Sequence, residues 1–211
     1  MSLVTSDFTF NADGRDYKGR VFCDSDWGPE KKFPGVLMIP GGSPDPGLEK
    51  LAKRFGDLKF ASILVDEPLP APPKGLRAMK RAMFFAQMRD EIRTDEICAM
   101  GFGAGADIVL RAAAESKMLA AVVSVYPEGP EASDLARSTV VPAILVLGAG
   151  KDVGEAGADN LRILALDGAT PGSPGYETLF SEAIGLFRKQ TYEKPVEEKP
   201  YIPAVTDYMG M

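Results

Sequence analysis

Short apolar runs alternate with amphipathic stretches along most of the chain, and this alternation limits the fold more than any other feature. GVLMIP (35–40) and FASILVDEP (60–68) are apolar through their centres and are bounded by Pro34, Gly41-Gly42 and the acidic pair Asp66-Glu67. EICAMGFG (96–103), LAAVVSVYP (119–127), PAILVLGAG (142–150) and LRILALDG (161–168) repeat the pattern. Such runs read as short buried strands of a parallel sheet. Between them lie GLEKLAKRFGDL, LRAMKRAMFFAQMRDEI, ADIVLRAAAESK and PEASDLARS, and YETLFSEAIGLFRKQ closes the series. Leu76, Met79, Met83 and Ala86 carry the helical spacing opposite Lys74, Lys80, Arg81 and Arg89. At the start, FTFNA and RDYKGRVF flank Asp13-Gly14, which predicts an antiparallel hairpin. A hairpin followed by about five β-α units is the pattern of an α/β fold, a mostly parallel sheet with helices on both faces. Right-handed crossovers put the strand C-terminal ends along one edge, where the sites of such sheets lie.

Residues 1–190 form one expected domain, and 191–211 (TYEKPVEEKPYIPAVTDYMGM) form a proline-containing tail without periodicity. A net charge of −6 and a pI near 4.9 argue against nucleic acid or an anionic membrane as partner. No apolar run has the roughly 18 residues of a spanning helix, and MSLVTSDFTF lacks the shape of a signal peptide, so a cytoplasmic location is expected. Cys23 and Cys98 follow apolar residues and are expected as buried free thiols. There is no histidine anywhere in the chain. That removes every Ser-His-Asp and Cys-His arrangement and the commonest zinc ligand. No cofactor or metal is expected.

One stretch carries chemistry. ICAMGFGAGADIVLRAAA (97–114) is a strand, a turn of alternating glycines and a helix. Two devices use that geometry. The nucleophile elbow, G-x-S-x-G, lifts a serine to the top of a sheet. The dinucleotide loop, G-x-G-x-x-G/A, lays a pyrophosphate on a helix N-terminus, and Gly101, Gly103 and Ala106 satisfy its spacing, with Glu128 nearby to meet a ribose hydroxyl. Against the second device, other sheet strands precede the turn, and Glu128 falls after Pro127 instead of at a strand tip.

The elbow reading accounts for more of the chain. From residue 15 to residue 190 the sequence resembles the dienelactone hydrolase-like branch of the α/β-hydrolases. Within that branch it is most similar to the catalytic domain shared by acyl-CoA thioesterases and bile acid-CoA:amino acid N-acyltransferases. FPGVLMIPGG resembles the strand and oxyanion loop that open this domain, and from Gly101 onward the spacing of elbow, helix and next strand follows the family. PAILVLGAGKD is similar to the strand that delivers the triad acid, which implies that acid at Asp152; PGSPGY lies where the family has its histidine. The resemblance places Gly103 at the nucleophile position and Pro174 or Gly175 at the base position.

A glycine at the elbow tolerates the strained backbone and supplies no nucleophile. The residual apparatus is an oxyanion hole made by the N–H of Ala104 and an N–H around Gly42, with Ser43 and Tyr126 as further ligand contacts. The expected role is therefore non-hydrolytic binding of a small carbonyl or acyl ligand, or of a protein partner. An alternative is an isomerase, cyclase or hydrolase-like enzyme in which Asp152 or Glu67 acts as base; a second alternative is the dinucleotide binder. The strand-end acids Asp66, Glu67, Glu128, Asp152 and Asp167 read more simply as caps and solvated groups than as a site for Mg²⁺ or Ca²⁺. The basic face of the long helix reads more simply as a solvated surface than as a CoA-phosphate site.

Overall fold

A computed structural model describes residues 2–28, 30–42, 46–148, 160–169 and 173–193. The strands are β1 (Leu3–Ala12), β2 (Arg15–Asp24), β3 (Phe33–Ile39), β4 (Ala61–Val65), β5 (Ile92–Phe102), β6 (Val122–Val125), β7 (Ala143–Leu147) and β8 (Leu161–Ala165). The helices are α1 (Pro46–Asp57), α2 (Lys74–Gln87), α3 (Ala104–Glu115), α4 (Ala132–Arg137) and α5 (Pro174–Thr191). The strands form one sheet in the order β1-β2-β4-β3-β5-β6-β7-β8. Everything from β4 to β8 is parallel, and only the β1–β2 hairpin and its junction with β4 are antiparallel. Asp13 and Gly14 both have positive φ, 51° and 79°, as a two-residue type I′ turn requires.

The strand pleat sorts side chains onto two helical layers. Leu37 and Ile39 of β3 join the core under α2 and α3 with Met79, Met83, Ile108 and Val109. Val36 and Met38 join the opposite core with Leu51 and Phe55 of α1 and Leu179, Phe180 and Phe187 of α5. Every residue of β3, β4, β6 and β7 is buried, as the continuous apolar runs predict for strands covered on both faces. β8 lies at the edge and is only half-buried, with Arg162 paired to Glu182 of α5. Cys23 and Cys98 are buried free thiols, and burial pushes Cys23 up to about 12. Among the described residues no helix is long and apolar enough to cross a membrane.

One boundary differs from the sequence expectation. The helical pattern of 76–92 stops at Gln87, and β5 begins at Ile92. Ile92 pairs with Phe33, whose N–H donates to Glu91 O at 2.9 Å, and the register shifts between Phe33 and Gly35. Pro34 lies at that shift and has no N–H for the ladder. Pairing with β3 thus outweighs local helical spacing.

The hairpin is fastened to the parallel sheet by charge. Arg20 on β2 bonds Asp66, just past β4, at 2.9 Å and Glu49 of α1 at 2.6 Å, while Lys53 holds the other Glu49 oxygen at 2.6 Å. Those cations push the Glu49 carboxyl down to about 2.

Two outcomes follow from this packing. Phe55 is fully buried and meets the rings of Phe60, Phe180 and Phe187 at centroid distances of 5.8, 5.3 and 5.8 Å. Phe55→Ala should therefore cost about 3–5 kcal/mol in urea unfolding. Because the folded-state pKa of Glu49 is depressed, its contribution is present above its ordinary value of 4.5 and fades as pH falls toward 2. The stability gap between wild type and Glu49→Gln should accordingly be widest above pH 5 and close in acid.

Candidate functional site

The chain runs from β3 to β4 on one side of the sheet and then crosses to β5 on the other. The helices that follow β3 and β5, α1 and α3, lie on opposite faces. The C-terminal ends of β3 and β5 are thus a topological switch point, the place where open α/β sheets bind ligands.

Two glycine turns meet there. β5 passes into α3 through Gly103 alone, which has φ 53° and ψ −124°. Its N–H donates to Val125 O at 2.9 Å, and its carbonyl accepts from Ala106 N–H at 2.9 Å. Gly101 and Gly105 have no room for side chains. A Cβ on Gly101 would lie 2.3 Å from Gly105 O, and one on Gly105 would lie 2.4 Å from Ile39 O. A Cβ on Gly41 would lie 2.4 Å from Phe102 O and 3.0 Å from Gly103 Cα. The glycines flanking position 103 therefore allow a sharp strand-to-helix turn to press against the end of β3. That is the backbone geometry of a nucleophile elbow.

The structure brings Gly103, Ala104 and the Gly41-Gly42 turn together. Ala104 opens α3, so its N–H belongs to the first turn, where a helix has no internal acceptor. Gly42 is exposed beside Gly41. Asp152 and Ser43 lie outside the described residues. Gly175 sits in the first turn of α5, where a Cβ would fall 2.4 Å from Gly168 O, so no side chain fits at that base position without backbone movement. Pro174 is the first residue of the same helix.

Two other sequence-predicted residues have structural partners. Glu67 pairs with Arg15 of the hairpin. The Tyr126 hydroxyl donates to Leu166 O at 2.8 Å and its N–H donates to Val146 O, so it braces β7 and the segment after β8. Burial, with the nearby Asp167 charge, raises its pKa. No group of three metal-ligating side chains occurs among the described residues.

In the sequence Glu128 reads mainly as a solvated strand-end acid, and it is exposed. It was a candidate for a ribose contact and stands instead over the elbow: a Cβ on residue 103 would lie 2.8 Å from its Oε1. Tyr126, at φ 54°, turns the chain after β6. Asp107, in the first turn of α3, then accepts the N–H of Glu128 at 3.2 Å and that of Gly129 at 3.0 Å. A carboxylate beside the α3 N-terminus opposes the pyrophosphate that the dinucleotide device would place there. The available signal was an acid three residues into the helix, Asp107, facing a Pro-Glu-Gly loop one strand later.

The model of the dienelactone hydrolase family matches residues 67–163. No curated protein sequence matches the chain. Among solved structures, a Klebsiella pneumoniae protein provisionally classed as a dienelactone hydrolase is similar at a TM-score of 0.74 and 13% identity, covering 90% of this chain and 100% of its own. A dienelactone hydrolase-like promiscuous phosphotriesterase from metagenomic libraries gives 0.72 at 16% identity, covering 90% and 99%. Esterase 2 of Thermogutta terrifontis, phosphoramylated by tabun, gives 0.72 at 13% identity, covering 88% and 94%. With the sheet order and the N-terminal hairpin, these likenesses show that the chain has the α/β-hydrolase fold of those structures, and residues 67–163 match the dienelactone hydrolase family.

Proposed function

We propose that the chain is a non-hydrolytic protein of this fold that binds a small carbonyl or acyl compound at the elbow. The observation that carries the reading is the turn at residue 103, which keeps the elbow's backbone path with a glycine in it, in a chain that has no histidine. The backbone donors of an oxyanion hole survive such a loss, since they need no side chain. The imidazole that would take a proton from a hydroxyl or a water does not, because the chain has no histidine. In hydrolases stripped of triad members, the hole and binding alone leave only about 10³–10⁴-fold acceleration over water.

The finer likeness to acyl-CoA thioesterases makes a thioester the acyl ligand to test first. The basic face of α2 supports it weakly, because Arg77 is engaged with Asp13 at 2.7 Å. A protein partner remains part of the proposal, and two buried free thiols are in keeping with a reducing, cytoplasmic setting. The second reading, an enzyme with a carboxylate base at Asp152 or Glu67, gains one observation at a different residue: the Glu128 carboxylate beside the elbow.

Turnover of aryl esters, dienelactones and acyl-CoA thioesters by the full chain separates the two readings, with Asp152→Ala as control. The binding role predicts no difference between the two proteins. Turnover lost in Asp152→Ala establishes the enzyme and ends the binding role.

Gly103→Ser should not hydrolyse these substrates either, since the chain has no histidine to serve the new hydroxyl and its Cβ would crowd Glu128 Oε1 at 2.8 Å. Measurable ester turnover by that variant contradicts the account. A residue with a side chain at this positive φ should also cost about 1–3 kcal/mol in chemical denaturation.

The wild-type chain should remain unlabelled by an organophosphorus reagent of the kind that modifies the Thermogutta esterase. A phosphorylated adduct in its mass spectrum would reveal a nucleophile that this reading lacks.

A further inference from the structure

Position 103 is where a nucleophile's side chain would project. A Cβ there has two neighbours from other segments, Glu128 Oε1 at 2.8 Å and Gly41 Cα at 3.5 Å. The space left by the missing side chain is thus bordered by backbone on one side and by a carboxylate on the other. The bonds from Glu128 N–H and Gly129 N–H to Asp107 fix the backbone that carries this carboxylate. Gly129 is held as closely, since a Cβ on it would lie 3.0 Å from Asp107 Oδ1. The Glu128 residue is exposed, and among the described residues it joins no ion pair. Arg111, one turn along α3 from Asp107, is committed to Glu131.

We propose that Glu128 sets the ligand class of the elbow, selecting primary carboxamides over carboxylates and esters of the same shape. The inference rests on the binding role proposed above. An ionised carboxylate only accepts hydrogen bonds, and a first-turn N–H only donates them. A ligand serving both must offer an acceptor and a donor side by side. A primary carboxamide does so from a single carbon: its oxygen faces the Ala104 N–H, and its NH₂ donates to Glu128 Oε1. An ester turns a second acceptor toward Glu128 and leaves it unpaired. A carboxylate ligand adds like-charge repulsion.

Benzamide, benzoate and methyl benzoate share one ring and differ at this group, so they are the probes. Each is titrated into the full-length wild-type protein, Glu128→Gln and Asp107→Ala, following the amide resonances of Gly103 and Ala104. Wild type should bind benzamide at least about tenfold more tightly than either competitor, a modest expectation for one hydrogen bond to a charged group. Glu128→Gln, whose amide can donate to benzoate, should shrink the benzamide-to-benzoate ratio by a similar factor. Asp107→Ala, which frees the loop carrying Glu128, should shrink it too. Equal affinities in wild type, or a ratio that neither variant changes, overturn the assignment and leave the binding role standing. Absence of any shift at Gly103 and Ala104 with all three probes in all three proteins overturns the binding role, and this assignment with it. Hydrolysis of methyl benzoate by wild type also overturns both.

Discussion

The site depends on one close contact of backbone on backbone. The end of β3 and the turn after β5 meet where Gly41 lies against Phe102 O and Gly103, and Gly105 lies against Ile39 O. At those separations a methyl group on Gly41 or Gly105 would overlap a carbonyl oxygen. The close fit leaves α3 no connecting loop, so it starts directly at the strand end. It also sets the positive φ of residue 103 and lays the Gly41-Gly42 turn beside the first helical N–H. These features are backbone properties, and they persist without a serine. Under the proposed binding role, a glycine at 103 therefore supplies no nucleophile while the backbone geometry of the turn is kept.

The outer parts hold this junction in place by different means. Two aromatic and aliphatic layers clamp the sheet, with α2 and α3 on one face and α1 and α5 on the other. The hairpin, which adds two strands beyond β4, is attached through Arg20 and Arg15 to the acids that end β4. Glu67 therefore serves the sheet edge. On the other side of the junction, Asp107 ties the loop after β6 to the first turn of α3. The result is a carboxylate, Glu128, held where a hydrolase of this fold would have its reacting side chain.

The loss extends beyond one residue. Where the resemblance puts the base, a Cβ on Gly175 would lie 2.4 Å from Gly168 O, and Pro174 begins a helix. On the proposed reading, two separate segments thus lack what hydrolysis needs, one a nucleophilic side chain and the other room for a side chain at Gly175.

Much of this was legible in the sequence. The unbroken apolar runs indicated strands buried on both faces, Asp13-Gly14 indicated the hairpin, and the spacing of Gly101, Gly103 and Gly105 located the elbow. The absence of histidine excluded the triad before any coordinate was known. Such signals are local: periodicity, turn chemistry and residue inventory act over a few positions or over none. What only the tertiary structure decided is pairing between distant segments. It cut α2 short at Gln87 by aligning Ile92 with Phe33, gave Glu67 to Arg15, and turned the Tyr126 hydroxyl to Leu166 O. It also set Glu128 against Gly103, 25 positions earlier, through bonds to Asp107. The sequence shows which acids stand at strand ends. Which of them faces the elbow follows from the crossing of β6 beside β5, a contact whose distance along the chain leaves no periodic trace.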